Sequence, residues 1–484
     1  MFRIILYTLI FSLSAIVFAT VRSQKARQLF LLTASYLLYC SWNVWFAPVL
    51  LASTGINFLL GERLRKKPTR LVLTTGILLN LLILGSFKYL PPLAITLPFS
   101  SLQRFAYLAL PLGISFWTFQ AMSYLFDLYR GEELDASFVE LALYMAFFPV
   151  TISGPICRMP DMLPQFRSEK LTRKNEFGRG LARMATGILM IQLARLLGQG
   201  ILSGDGIVRG FDQATMWSGA DAWCLAFGYG LELFFDFAGY SHIAIGAAQA
   251  LGFTLPENFN RPFTSTTLSI FWTRWHMSLS FWIRDYLFFP LATMRREIWW
   301  RNFVLALSMV VFGVWHQGTV LFMLWGIYHG ILLVLHRQIQ QVRKTLNWDP
   351  PNGLWTALSW LVTICLVSLG WVFFRANSVT QAKEMLLAVF SGSYSSHFLS
   401  GSLYALVSTL AAGYAAVLLA EHWMDRATAP QETASAESRP EFIAKLARSR
   451  WYWIPPLYVV VLIIVLLVTH SRESGAAQFM YRRF

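Results

Sequence analysis

The chain has 484 residues, 56% of them hydrophobic and 13% charged, with a formal net charge of +15 and a mean hydropathy of +0.50. A soluble domain needs more polar surface than this to cover its core, so the composition points to an integral membrane protein. The positive charge does not imply a nucleic-acid partner, because Lys and Arg cluster in short links beside apolar runs, where they set orientation and meet anionic lipid.

Apolar runs at 4–20, 28–46, 71–92, 180–200, 354–373, 401–420 and 452–469 each approach the length that crosses hydrocarbon as a helix. Short polar links between them predict one polytopic bundle. The first run has only Arg3 ahead of its apolar stretch and no clean small-residue cleavage site, so it reads as a retained helix rather than a leader. Arg22, Lys25 and Arg27 follow it, and ERLRKKPTR at 62–70 follows the third run, which places both links on the cytoplasmic side.

Residues 139–153 are too short to span and predict a re-entrant element. The link 158–183 that follows holds seven Lys or Arg against three acidic residues and belongs on the cytoplasmic side. Residues 241–252 are also too short to cross alone. From 256 to 301, Arg261, Arg274, Arg284, Arg295, Arg296 and Arg301 alternate with Trp and Phe, a mixture at home at the cytoplasmic interface.

The stretch GVWHQG at 313–318 carries His316 into an otherwise apolar segment flanked by Arg295, Arg296 and Arg301 before it and HRQIQQVRK after it. Fifteen residues of helix from Arg301 would place the imidazole roughly 22 Å along the axis, deep in the membrane. Gly313 and Gly318 on either side would let the backbone turn or a second helix approach. An ionisable side chain at that depth is costly and points to a functional, protected cavity. Desolvated and neutral, such an imidazole can take a proton from an attacking hydroxyl. The structural alternative is that His316 bonds a carbonyl exposed at the glycine turn, with Trp315 as packing.

His329 would fall on nearly the opposite face if one straight helix ran through from His316, a comparison that a break at Gly318 would undo. His336 reads as interfacial at a helix end, and His397, His422 and His470 lie in or beside polar connections. His276, among Arg274, Arg284 and Asp285, fits either a site or an amphipathic surface helix. Axial haem ligation ranks well below these readings because no two histidines are placed on facing helices at one depth. Cys40, Cys157, Cys224 and Cys365 have neither disulfide nor metal-like spacing. The polar segment 421–451 reads as a loop with at most one surface helix.

Four ordered motifs, with a similar aromatic ending at QFMYRRF 478–484, then carry a family resemblance. They are PLGISFWTFQAMSYLFDLYRG at 111–131 with FFPVTISGPICR at 147–158, FFDFAGYSHIAIGAAQALGFTLPENFNRPF at 234–263, FWTRWHMSLSFWIRDYLFFPL at 271–291, and GVWHQGTVLFMLWGIYHG at 313–330. Together they resemble the membrane-bound O-acyltransferase (MBOAT) family, in particular its bacterial branch of alginate acetylation and teichoic acid D-alanylation.

The resemblance implies an all-α polytopic fold, a ring of about 10–11 transmembrane helices with re-entrant segments around a central tunnel. It implies one membrane domain over 1–484: N-terminal helices 1–131, a catalytic core 132–345 and C-terminal helices 346–484. His316 matches the family's acyl-transfer histidine and His276 its second histidine, with Trp315, Asp236, Asn258, Arg261, Arg274 and His329 as companions along the substrate tunnel. Asp236, Asn258 and Arg261 have an equally simple structural reading as buried groups joining helix ends.

The implied reaction moves an acyl group, acetyl by expectation, from a cytoplasmic thioester to a hydroxyl of an exported polysaccharide or periplasmic protein. It needs acetyl-CoA or another acyl thioester as co-substrate and no bound cofactor or metal. Expected partners are membrane lipid, acyl-CoA or an acyl carrier protein, and a periplasmic acetyltransferase or export component, in the bacterial cytoplasmic membrane. D-alanyl transfer from a phosphopantetheine carrier is the alternative within the class, and a transporter or export scaffold the alternative outside it. The chain has SHIAIG where the branch reads SDMAIG, and WHQGT where it reads WHGA, which bears on the acceptor.

Overall fold

The computed structural model describes residues 2–96, 105–201, 205–213, 217–348, 353–391 and 399–428, and among these every regular element is helical. Six helices are long and apolar enough to cross a membrane: 70–88, 174–199, 298–316, 320–345, 354–375 and 401–424. A shorter apolar helix covers 5–20. The protein is an all-helical, multi-pass membrane protein. The apolar run 452–469, the ending 478–484, His397 and His470 lie outside the described residues.

The chain forms two compact units, one of residues 1–184, 243–258 and 278–290 and the other of 185–242, 259–277 and 291–484. In the first, α1 (Phe2–Thr20), α2 (Gln24–Cys40), α3 (Phe46–Lys66) and α4 (Arg70–Lys88) are followed by α5 (Leu90–Thr96). The expected run 71–92 therefore divides after Lys88, where Pro91 and Pro92 can open a helix but not continue one. Asn57 and Asn80 hold α3 to α4 with reciprocal amide bonds of 3.1 and 2.7 Å, the kind of polar pairing that ties helices where water is absent.

Helix α6 (Ile114–Tyr129) is buried nearly all round, as expected of a core helix with apolar residues on every face. The segment expected to be re-entrant consists of α7 (Phe138–Ala146) and the buried turns 147–153, before α8 (Met159–Phe166). At nine residues α7 is too short to span. Its start is fixed by a capping box between Ser137 and Glu140.

Helix α9 (Lys174–Gln199) and α10 (Ile207–Gln213) lead to α11 (Gly219–Ala250), 32 residues long. Residues 241–252 are thus not a separate short element, as their sequence suggested, but the end of the longest helix described. Glu232 and Asp236 are buried on this helix.

Short helices α12 (Leu268–Trp272), α13 (Met277–Ile283) and α14 (Phe289–Ala292) follow, with a π-helical turn at Arg284–Phe288. Then come α15 (Ile298–His316), α16 (Val320–Thr345), α17 (Leu354–Arg375), α18 (Val379–Val389) and α19 (Gly401–Thr428). The last carries the helix through the first residues of the expected polar loop. His336 lies within α16 rather than at a helix end, and His422 is exposed on α19.

Candidate active site

Helix α15 ends at His316 because the three residues that follow, Gln317, Gly318 and Thr319, leave helical geometry before α16 begins. The two helices form a close antiparallel hairpin. A Cβ on Gly313 would collide with the Phe322 carbonyl, and one on Gly326 with the Met309 carbonyl, so only glycine permits this backbone approach. His316 is therefore the last residue before an apex, 6% exposed itself and followed by an exposed turn at 317–319.

The hairpin reverses the face relation expected for one straight helix. His316 and His329 both pack on Trp325, with ring centroids 5.9 and 4.9 Å away. Around them lies an aromatic cage: Phe312 stacks on His316 at 5.3 Å and 18°, Phe374 meets it edge-on at 5.1 Å, and Trp272 meets His329 at 5.2 Å. Trp315 is buried against His316 at 4.7 Å.

His276 belongs to the same unit and is 1% exposed. It stands edge-on to Phe237 at 4.6 Å and to Phe312 at 6.3 Å, so one phenyl ring touches both His276 and His316. Its backbone is left-handed, φ 43, a conformation that costs a non-glycine residue energy and persists where the surroundings impose it. Burial pushes its pKa down from 6.5 to about 3, so the imidazole is neutral at ordinary pH.

Three buried ring nitrogens in this cage, Trp272 Nε1, Trp325 Nε1 and His329 Nδ1, have no hydrogen-bond partner among the described residues. Buried polar atoms are nearly always paired, so such a group asks for a ligand atom or water. The cage can thus present imidazole rings and indole N–H donors to a polar atom in a dry setting, the environment in which electrostatic contacts are strongest.

The remaining candidates are spread more widely. Asp236 lies buried on α11, and the cation acting on it is Arg195. Arg261, also left-handed at φ 49, donates from Nε to Glu421 at 3.1 Å, and Arg274 donates to the Thr264 hydroxyl at 2.6 Å. Asn260 N–H bonds the Arg274 carbonyl at 3.0 Å, closing this loop on itself. These arginines organise a turn in the structure. Asn258 belongs to the other unit, where its Oδ1 accepts from the Ser278 hydroxyl at 2.7 Å and from the Ser278 N–H at 3.4 Å at the start of α13.

Phe312, Trp325 and Phe374 are the cage residues that motif reading passed over. Two of them were accessible from spacing: Phe312 precedes His316, and Trp325 precedes His329, by four residues, which makes them neighbours on a helix.

A model of the membrane-bound O-acyltransferase family matches residues 96–374. The chain belongs to the membrane-bound O-acyltransferase family. It is 34% identical over 384 residues to a probable alginate O-acetylase of Azotobacter vinelandii, covering 76% of this chain and 73% of that one. To a peptidoglycan O-acetyltransferase of Helicobacter pylori it is 31% identical, over 74% of this chain and 73% of the relative. A teichoic acid D-alanyltransferase of Streptococcus thermophilus is 32% identical over 54% of this chain and 68% of its own. The MBOAT protein described here is accordingly an O-acyltransferase.

Proposed function

We propose that this MBOAT protein transfers an acetyl group from a cytoplasmic thioester, acetyl-CoA in the simplest case, across the cytoplasmic membrane to a hydroxyl of an exported polysaccharide. The observation that carries the reading is the placement of His316: buried in an aromatic cage, yet the last residue before an exposed turn. A buried base beside an opening can be dry enough to stay neutral and still receive a substrate.

In this reading the neutral His316 takes the proton of the acceptor hydroxyl as its oxygen bonds the thioester carbonyl carbon. The tetrahedral intermediate then expels the thiolate by breaking the carbon–sulfur bond. The imidazolium returns its proton to the leaving sulfur, so the products are the ester and the free thiol and the base is restored. His276 holds no proton at neutral pH beyond that of its neutral ring, so it serves as a hydrogen-bond donor to the developing oxyanion or as an orienting group, together with the bare Trp272 and Trp325 N–H groups.

Relatives that carry the names alginate O-acetylase and peptidoglycan O-acetyltransferase support acetyl as the group and a cell-envelope glycan as the acceptor. A phosphopantetheine carrier delivering D-alanyl is the second donor, supported by the D-alanyltransferase relatives. A periplasmic acetyltransferase or an export component would receive or present the acceptor.

The test is acyl transfer from labelled acetyl-CoA in proteoliposomes. His316→Ala is expected to lower turnover by about 10²- to 10⁴-fold, and His276→Ala by less. Transfer unaffected by either change overturns the assignment, and substrate uptake without acylation would make the protein a transporter instead.

A further inference from the structure

Two of the four motifs that mark the family, the first through both of its stretches, meet at a place that contains none of the histidines. The end of α6 with the residues just beyond it, the start of α8 and the π-helical turn at Arg284–Phe288 all belong to the first unit and line an open cleft of about 430 Å³. A π turn inserts an extra residue into the helical spiral and often marks a functional position. Here it carries Asp285 and Tyr286, both of which line the cleft.

The wall is cross-linked. Arg158 pairs with Asp285 at 2.9 Å, and Arg284 donates to the same carboxylate at 2.7 Å. Arg130 donates to the Asp285 carbonyl at 2.6 Å, and the Arg130 and Arg158 guanidinium groups lie 5.1 and 4.6 Å from the Tyr286 ring centre. Asp285 is thus neutralised by its own neighbours.

Asp127 is not. It is 6% exposed and accepts from the Tyr286 hydroxyl at 2.7 Å through Oδ1, while its buried Oδ2 has no hydrogen-bond partner among the described residues and the residue lines the same cleft. An ionised or neutral carboxyl oxygen left bare in a dry site is costly unless a ligand supplies a donor. Glu132 and Asp161, both exposed, add negative charge near it, and exposed Arg130 is the cation at the rim.

The cleft therefore offers one bare carboxyl oxygen on buried Asp127 and, at its exposed edge, the Arg130 guanidinium together with the carboxylates of Glu132 and Asp161. A ligand that complements it carries an N–H-bearing cation at its tip and an anion a short distance behind. No group of three or more His, Cys, Asp or Glu suited to a metal ion occurs among the described residues. Phe289, 48% exposed, also lines the cleft and offers an apolar surface beside it.

We infer that this cleft binds an aminoethyl phosphate, the zwitterionic headgroup of phosphatidylethanolamine, with the primary ammonium on Asp127 Oδ2 and the phosphate on Arg130. Asp127 and Arg130 are three residues apart at the end of α6 and so are neighbours on one helix face, within the span of one short headgroup. A trimethylammonium headgroup has no N–H to give Asp127, and a glycerol headgroup has no cation, so the site discriminates among common phospholipids. Lipid binding here would tie the first unit to the membrane through a specific contact. It does not depend on the chemistry proposed at His316.

The test uses the full chain released from vesicles containing equal mole fractions of phosphatidylethanolamine, phosphatidylcholine and phosphatidylglycerol, with retained lipid counted by native mass spectrometry. The expected result is preferential retention of phosphatidylethanolamine. Asp127→Asn should reduce that preference about tenfold, the usual consequence of losing one charge-assisted hydrogen bond. Arg130→Gln should weaken retention of all three lipids, because all carry the phosphate. Equal retention of phosphatidylcholine or phosphatidylglycerol by the unaltered protein overturns the inference, as does an unchanged preference in a folded Asp127→Asn protein. Since Arg130 is exposed, its variant and the headgroup comparison remain decisive even if Asp127→Asn does not fold.

Discussion

His276 shows how a single residue can report on its surroundings through pH. Its pKa falls from 6.5 to about 3 because burial disfavours the charged ring. The unfolded chain therefore binds a proton that the folded chain refuses, and the stability that the neutral ring contributes is present above pH 6.5. It is lost progressively as pH falls from there towards 3. At pH 4.5 the expected loss is about 2–3 kcal/mol. Replacing His276 with Asn, which tolerates the left-handed backbone better than most residues, should remove this part of the pH dependence. Thermal unfolding of both proteins between pH 7 and pH 4.5 is the measurement, and parallel curves would contradict the burial argument. His316 stood out in the sequence because it interrupts an apolar run, whereas His276, set among charged residues, was singled out only by the family resemblance of its motif. Their common contact, Phe312, was not legible there, because it depends on how a turn at 273–276 meets α15 in space.

At the level of elements, the hairpin of α15 and α16 depends on glycines that sequence reading saw only as a possible turn. Gly313→Ala would place a methyl group against the Phe322 carbonyl, a backbone atom that cannot swing away. The helices would have to separate, at an expected cost of about 1–3 kcal/mol, and His316 would move with its helix. The expected outcome is a protein of lower melting temperature whose turnover falls further than its melting shift explains. In the other unit, Glu140 closes the capping box on Ser137 and receives Arg167 at 2.7 and 3.0 Å. Burial alone would raise its pKa, but the bonds from Arg167 and Ser137 outweigh burial and hold it down to about 2. Its contribution is present above the usual carboxylate range and fades as pH falls towards 2. Glu140→Gln should cost about 3 kcal/mol at neutral pH, readable as a lowered unfolding midpoint. Helix α11 gives the converse lesson about legibility: the stretch from 241 read as too short to cross alone, yet it ends a helix of 32 residues.

For the whole molecule, charge and hydropathy were enough to anticipate an all-helical membrane protein, because the demand that backbone groups be satisfied in lipid leaves few alternatives. What they could not supply was the meeting of distant motifs, such as Asp127 with Tyr286, since those contacts are made by short and π-helical pieces that lack a strong periodic pattern. The positive-inside argument still has a sharp consequence for the hairpin. Arg295 and Arg296 precede α15, Arg301 lies in its first turn, and Arg337, Arg343 and Lys344 close α16, so both outer ends of the hairpin should face the cytoplasm. Nineteen helical residues then rise roughly 28 Å, about one hydrocarbon thickness, and deliver the exposed turn at 317–319 towards the opposite side. A cysteine at Gln317 should react with a membrane-impermeant maleimide added outside intact spheroplasts, whereas one at Lys170, exposed in the basic link, should react only after permeabilisation. Cys40 and Cys365, the two partly exposed native thiols, would be changed to Ser beforehand to keep the signal specific. Labelling of both positions from the same side would invert the hairpin and remove the route by which an outside hydroxyl reaches His316.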